Sequence, residues 1–335
     1  MITNAAVLVQ KNKIKIKKLI LPDLKKGQVL IKIKYSSICH TQIQEISGLR
    51  GKDRYLPHCL GHEASGIVIN KHQSVKKVNK KDFVCLTWVF SKGISAGGSI
   101  YYDKKNNKIN AGPVNTFSNY AIISEDKIQK IKKKSDLKKS VLLGCAAPTA
   151  FNCIFNNTNN QKNKKILILG AGGVGLLAVF ASKICKFKEI SVLDLNKKKL
   201  KLSQKFGASK IINNIDDKTL NDHYDYVLEC TGNKDVLHKS IKFVKKFGGV
   251  LFIVGNYKHS TKFNIDPWEF LFGKKISGSW NRKFIYDLNF KKFSEHLNKL
   301  NLNEYFGNKT YKLNEINKAI QDLKRGKIIR PLIKM

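Results

Sequence analysis

Three short motifs carry side chains that a transition metal would take: Cys39-His40-Thr41, Gly61-His62-Glu63 and Gly144-Cys145. Thiolate and imidazole are preferred ligands of zinc, and a catalytic zinc site supplies three of them while leaving a fourth position for water or substrate. Taken singly, none of the motifs separates a ligand from filler. A buried cysteine is ordinarily an inert small hydrophobe, and a histidine on an apolar strand is usually a satisfied core residue. A second chemical feature occupies residues 164–194. The apolar run Ile166-Leu167-Ile168-Leu169 enters a turn with Gly170, Gly172 and Gly175, and an apolar helical pattern leaves it. In such a loop the first glycine permits the turn, the second lets backbone approach a pyrophosphate, and the third lets helix and strand pack closely. The helix start then offers unpaired N–H groups to the phosphate. A second apolar strand ends at Asp194, nineteen residues beyond Gly175, where a carboxylate accepts from ribose hydroxyls. Its charge repels a 2′-phosphate, which predicts NAD over NADP.

Elements of two kinds must position these groups. The first third reads as β-rich: Val29, Ile31, Ile33 and Tyr35 alternate with Lys32 and Lys34, a period of two. Further strands are expected within residues 61–70, 81–90 and 117–124, which predicts an antiparallel, barrel-like assembly. Residues 91–116, rich in Gly, Ser, Asn and Lys, read as a long surface loop, and a polar helical stretch is expected between Ser124 and Val141. From Lys164 onward strands alternate with helices, at 197–206, 210–213, 225–230, 235–247 and 250–254. That rhythm specifies a doubly wound parallel sheet. The tail from Phe290 to Arg330 carries two helical patterns, and Pro331-Leu332-Ile333 reads as a strand able to rejoin the first domain.

Composition narrows the function classes. The 335 residues suit two domains, and a hydrophobic fraction of 42% supports full cores. No run of eighteen apolar residues occurs, so no membrane partner is expected and the chain reads as cytoplasmic. Seven cysteines without a secretory pattern argue for free thiols or metal ligands over a disulfide framework. The formal charge of +39 raises nucleic-acid binding as a competing class. Only five of the 63 basic residues are arginine, the residue favoured for planar recognition of phosphate and guanine. The lysines are spread along the whole chain, so no nucleic-acid partner is expected.

Nearly end to end, the chain resembles the zinc-containing medium-chain alcohol dehydrogenases. The pieces that carry the resemblance are the C-x-T start, the GHE-x-x-G-x-V strand, GPVNTFSNYAIISED, the GC-x-x-PTA turn, the GAGGVG loop with its downstream Asp, and the closing GKIIRPLIK. The resemblance implies a GroES-like β-rich catalytic domain (1–147 with 282–335) and a Rossmann domain (148–281). It implies a catalytic zinc held by Cys39, His62 and Cys145, with Glu63 the carboxylate that approaches the metal when coordination changes. Thr41 becomes the hydroxyl that takes the substrate proton. Zinc polarises the alcohol oxygen and hydride passes to NAD. Around the cofactor the same resemblance sets the loop Gly170, Gly172, Gly173, Val174 and Gly175, with Thr149 and Val174 on the nicotinamide, His40 and Arg330 near the pyrophosphate, and Lys199 beside Asp194 at the ribose. A homodimer or homotetramer is implied as well.

Three departures qualify the expectation. The segment where the well-studied members hold a second, structural zinc lacks cysteine between Ser91 and Asn115, so one zinc per chain is expected. The acid and the relay histidine that follow the C-x-T motif in the family are Gln42 and Gln44 here. An amide is no general base near neutral pH, so water or another group such as His40 must complete the proton path. Trp88 and Asn256 fall where the family lines its substrate pocket; a large indole and an amide there favour a polyol or sugar derivative over a simple aliphatic alcohol.

Overall fold

The computed structural model describes residues 1–132, 137–279 and 286–335. The chain divides into two compact units, one of Met1–Cys145 with Ile285–Met335 and one of Ala146–Phe284. The expected boundary at 281/282 lies outside the described residues.

The discontinuous unit is built from two sheets. Strands Ile2–Gln10, Lys13–Ile20, Ser99–Asp103, Lys108–Ala111 and His58–Cys59 close a barrel. The second sheet runs in the order Ile128–Ile131, Phe83–Leu86, Ala64–Lys71, Gln28–Ser37, Leu332–Lys334, Thr310–Lys312, and Tyr120–Ser124 also pairs with Gln28–Ser37. The alternation read from the sequence is what buries this sheet: Val29, Ile31 and Ile33 point into a core with Ala64, Val68, Val84 and Ile123. The closing strand Leu332–Lys334 pairs antiparallel with the end of Gln28–Ser37. A late piece of chain is thereby fixed beside the residues that lead into Cys39.

Two local expectations fail. Residues 91–116 contain the hairpin Ser99–Asp103 with Lys108–Ala111, which completes the barrel. Its polar composition hides a short period-two pattern in which Tyr101 and Ile109 are fully buried. The turn is stabilised by Asp103, whose Oδ1 accepts from the N–H groups of Lys105 and Asn107, both at 3.0 Å. Between Ser124 and Val141 the chain forms the strand Ile128–Ile131, paired with Phe83–Leu86, before a short helix Leu137–Ser140. Strand pairing outweighs the local helical character of the lysines.

The continuous unit is a six-stranded parallel sheet in the order Lys210–Ile212, Glu189–Leu193, Lys165–Leu169, Tyr226–Glu229, Val250–Ile253, Lys275–Gly278. The order reverses at Lys165–Leu169, whose two neighbours were made later in the chain on opposite sides. This is the switch point at which open α/β sheets bind ligands, beyond the carboxyl ends of the strands. Helix Gly173–Ile184 starts four residues after that strand ends, and helix Lys197–Phe206 is capped by Asn196, whose Oδ1 accepts from the N–H groups of Lys198 and Lys199. The helix expected over 235–247 spans Lys234–Phe243. It stops early because Val244 turns extended and forms a bridge with Tyr224.

Candidate metal and nucleotide sites

Cys39 stands at the amino-terminal cap of helix His40–Ile46, directly after the strand Gln28–Ser37. His62 sits at the entry to Ala64–Lys71, and Cys145 closes a 3-10 turn at Val141–Gly144. Gly144 lets Cys145 reach the site: a Cβ there would lie 2.3 Å from the Leu86 carbonyl oxygen and 2.7 Å from the Glu63 Cβ. The ligand atoms of Cys39, His62 and Cys145 all lie within 4.8 Å of one another. His62 Nε2 is buried without a hydrogen-bond partner, as is Glu63 Oε2. Two thiols and an orphaned imidazole nitrogen facing one point are the donor set of a zinc site with an open fourth position. The Cys145 thiol holds Cys39 well below the ordinary thiol range, against the opposing pull of burial, and the nearby Arg330 charge adds to the lowering. One thiol of the pair is thus already biased toward the thiolate that ligates metal.

The supporting residues differ from what the sequence exposes. Gln42 bridges two parts of the site: its Oε1 accepts from the Cys39 N–H at 3.0 Å, and its amide nitrogen lies against His62 Nδ1. A ligating Nε2 lone pair requires the proton on Nδ1, and Nδ1–H needs an acceptor. Gln42 meets that need only by turning its oxygen to His62, which leaves the Cys39 N–H facing an NH2 group. Glu63 is fully buried; its Oε1 accepts from Ser37 Oγ and from Arg330, with Arg330 Nε at 2.8 Å. Burial pushes the Glu63 carboxyl up while the Arg330 charge opposes it. Arg330, assigned by the resemblance to the pyrophosphate, is 3% exposed and bound to Glu63 beside the metal ligands. Ser37 gave no sequence signal, since a serine at a strand end is unremarkable until its partner is known. Thr41 Oγ1 is 3.4 Å from Cys39 Sγ. His40 is exposed, and Trp88 is half-buried with its carbonyl accepting from Lys127 Nζ at 3.3 Å.

In the continuous unit the three glycines of the loop sit in different surroundings. Gly170 has φ +96°, a Cβ on Gly175 would lie 1.9 Å from the Gly170 oxygen, and a Cβ on Gly172 would meet nothing within 4 Å. The empty space at Gly172 opens at the start of helix Gly173–Ile184, where N–H groups lack intrahelical partners. Asp194 braces this loop: Oδ2 accepts from the Ala171 N–H and Oδ1 from the Asn196 N–H, both at 2.8 Å. Each oxygen keeps a further lone pair free to accept. Val174 and Thr149 are half-buried in the same unit, on helices Gly173–Ile184 and Ala146–Asn157. Lys199 lies in the first turn of Lys197–Phe206 with its N–H spent on Asn196. Asn256 lies just past the strand Val250–Ile253, its backbone against Gly232.

Two family models match the chain: "Alcohol dehydrogenase GroES-like domain" over residues 25–133 and "Zinc-binding dehydrogenase" over residues 173–299. An S-(hydroxymethyl)glutathione dehydrogenase of Escherichia coli O1:K1 is 26% identical over 344 residues, covering 92% of this chain and 93% of that one. Among solved structures, an alcohol dehydrogenase zinc-binding domain protein from Burkholderia ambifaria matches with a TM-score of 0.89 at 24% identity, covering 100% of this chain and 99% of its own. Benzyl alcohol dehydrogenase from Acinetobacter calcoaceticus matches with a TM-score of 0.82, at the same identity and coverages. These structures share the fold of both units.

Proposed function

The chain belongs to the zinc-binding dehydrogenases that carry an alcohol dehydrogenase GroES-like domain and is an alcohol dehydrogenase-like oxidoreductase, and from that premise we propose that it interconverts an alcohol and its aldehyde or ketone with NAD and one catalytic zinc per chain. The observation that carries the reading is the convergence of Cys39, His62 and Cys145, with the His62 Nε2 left free of other bonds. Bound there, zinc supplies Lewis-acid polarisation of the substrate oxygen. The chain's residues do the rest. Cys39, His62 and Cys145 hold the metal, and Glu63, with one oxygen tied to Ser37 and Arg330, keeps Oε2 for changes of coordination. Thr41 Oγ1 takes the hydroxyl proton. The N–H groups around Gly172, with Gly170, Gly173, Val174 and Gly175, hold the pyrophosphate, Asp194 and Lys199 the ribose, and Thr149 with Val174 the nicotinamide; His40 and Arg330 are assigned to the neighbourhood of the pyrophosphate. NAD, held by these residues, would supply the hydride-accepting redox chemistry.

The domains are assigned as 1–147 with 282–335 for catalysis and 148–281 for nucleotide binding. The enzyme acts in the cytoplasm as a homodimer or homotetramer, without a nucleic-acid or membrane partner; no described helix is long and apolar enough to cross a membrane. Trp88 and Asn256, an indole and an amide, favour a polyol or sugar derivative as the second reading of the substrate. The name of the E. coli relative, S-(hydroxymethyl)glutathione dehydrogenase, adds a hydroxymethyl thiol adduct to the compounds worth trying. The test measures zinc content and NADH formation with aliphatic alcohols, benzyl alcohol, polyols and S-(hydroxymethyl)glutathione, for the natural chain and for Cys39→Ser. Loss of both zinc and activity in Cys39→Ser supports the proposal. Retention of both, or salt-sensitive DNA binding with no NADH from any alcohol, overturns it.

A further inference from the structure

The segment that delivers Cys145 has little hold on itself. It is a single helical turn, Leu137–Ser140, followed by the 3-10 turn Val141–Gly144, and the closing carbonyls of such short pieces lack partners of their own. Four side chains from elsewhere in the unit take them up. Ser65 Oγ donates to the Leu137 oxygen at 2.5 Å, Cys85 Sγ to that of Ser140 at 3.1 Å, Tyr286 Oη to that of Leu143, and Thr87 Oγ1 to that of Gly144 at 2.8 Å. All four donors are fully buried. The last two bonds bracket Gly144: Tyr286 fixes the peptide plane before this glycine, and Thr87 the plane after it, which carries the Cys145 nitrogen and Cα. A glycine is required there because a Cβ would strike the Leu86 oxygen, yet glycine is also the residue least able to hold its own φ and ψ. Both donors are themselves fixed. The Thr87 N–H donates to the Lys127 oxygen at 3.0 Å, and Oγ1 accepts from the Val89 N–H at 3.0 Å, which leaves the hydroxyl proton for Gly144. Tyr286 opens helix Tyr286–Asn298 with its ring edge-on to Phe290, the centroids 5.6 Å apart.

We propose that Thr87 and Tyr286 are positioning residues for the metal site: by clamping the peptide planes on either side of Gly144, they hold Cys145 Sγ where one ion can be shared with Cys39 and His62. This inference rests on the zinc reading of those three residues above. Thr87 and Tyr286 act through the backbone that leads into Cys145, and neither belongs to the donor set. The other two ligands have separate supports, since Cys39 heads a helix and Gln42 bonds its N–H and meets His62. A fault at Thr87 or Tyr286 therefore shifts one sulfur and leaves the Cys39–His62 pair in place. Coordination is weakened and altered, not abolished.

Two measurements on the full chain test it, and neither needs turnover. Competition with a chelator reads zinc affinity. Thr87→Val and Tyr286→Phe, which remove the donor and keep the bulk, each weaken zinc binding about tenfold, the low end for groups that support a ligand. Thr87→Ser keeps the donor and stays within about twofold of the natural chain on the same scale. With cobalt(II) in place of zinc, the sulfur-to-cobalt and d–d absorption bands shift in Thr87→Val and Tyr286→Phe and return to the natural positions in Thr87→Ser. A residue that merely stabilised the fold would lower the urea midpoint of the metal-free chain and leave the cobalt bands of the folded protein where they were. Zinc affinity within about twofold of the natural chain in either donor-less variant, or cobalt bands unmoved in either, overturns the inference, and Tyr286→Phe carries the test should Thr87→Val fail to fold. A natural chain that holds zinc but yields no NADH from any alcohol counts against the dehydrogenase reading, and the affinities and spectra still decide the positioning roles. A natural chain that takes up neither zinc nor cobalt overturns both.

Discussion

Arg330 Nε donates to Glu63 Oε1 across 2.8 Å, a contact that spans 267 positions of chain with both side chains out of solvent. Glu63 adjoins His62, so the pair steadies the bed of one metal ligand from a segment made long afterwards. Removing one partner leaves a buried charge without compensation, which costs about 3–5 kcal/mol, whereas replacing both is often close to neutral. Arg330→Met is therefore expected to lower stability in urea unfolding by that amount. The double variant Glu63→Gln with Arg330→Met should recover much of it.

Zinc content should be one per chain, because residues 91–115 contain no cysteine and Cys39, His62 and Cys145 supply one donor set. Elemental analysis after dialysis reads this directly. Two tightly held zincs per chain would contradict it.

Gln42 meets His62 Nδ1 with an amide, where a carboxylate would accept from Nδ1–H outright. Gln42→Asp is expected to raise zinc affinity about tenfold or more, the scale of a change in the group orienting a metal-bound histidine. Competition with a zinc chelator measures it. Equal affinity in the two chains would show that the amide turns over without cost.

The glycine loop offers a contrast between two neighbouring positions. Gly172→Ala places its methyl in open space and should leave unfolding unchanged while weakening NAD binding. Gly175→Ala drives a methyl onto the Gly170 oxygen and should destabilise the nucleotide unit by about 1–3 kcal/mol, the usual cost of overpacking. Thermal unfolding with and without NAD separates the two.

Asp287 gives a pH dependence of known sign. Burial pushes its carboxyl up, but Gln129 Nε2 at 2.8 Å, the Lys92 N–H at 2.7 Å and Lys77 Nζ at 3.0 Å more than reverse this, leaving it below its ordinary value. A carboxylate depressed in the folded state stabilises above its unfolded pKa, about 4, and that contribution is lost as pH falls through the folded value. Asp287→Asn should be less stable by about 2 kcal/mol at pH 7, typical of hydrogen bonds to a charged group. The difference from the natural chain should shrink toward pH 3, as urea unfolding across pH would record.

The parts of the fold legible in the sequence are those where local pattern and long-range packing agree. Val29, Ile31 and Ile33 declare their strand by alternation, and Gly170 and Gly175 answer to demands that the backbone bears out, a positive φ at the first and a close approach at the second. Cys39, His62 and Cys145 were legible from their types as possible ligands, and their convergence only from the family resemblance, because it depends on which strands pair. The hairpin around Tyr101 and Ile109 went unread because two buried residues among lysines and asparagines carry too little period to notice. Ser37, Gln42 and Arg330 show the same limit at the site: each is an ordinary polar residue until the fold brings Glu63 or His62 to it.

The second unit is a single stretch of chain inserted between two parts of the first, and this imposes an order on assembly. Ala146–Phe284 holds all the strands of its own sheet and can close as it emerges. The sheet carrying Gln28–Ser37 must wait for Leu332–Lys334, and Glu63 must wait for Arg330. The two thiols and the imidazole are all translated before the arginine that neutralises their neighbour. During that interval Glu63 faces its burial without a counter-charge, so metal acquired early would meet a looser pocket than metal acquired late.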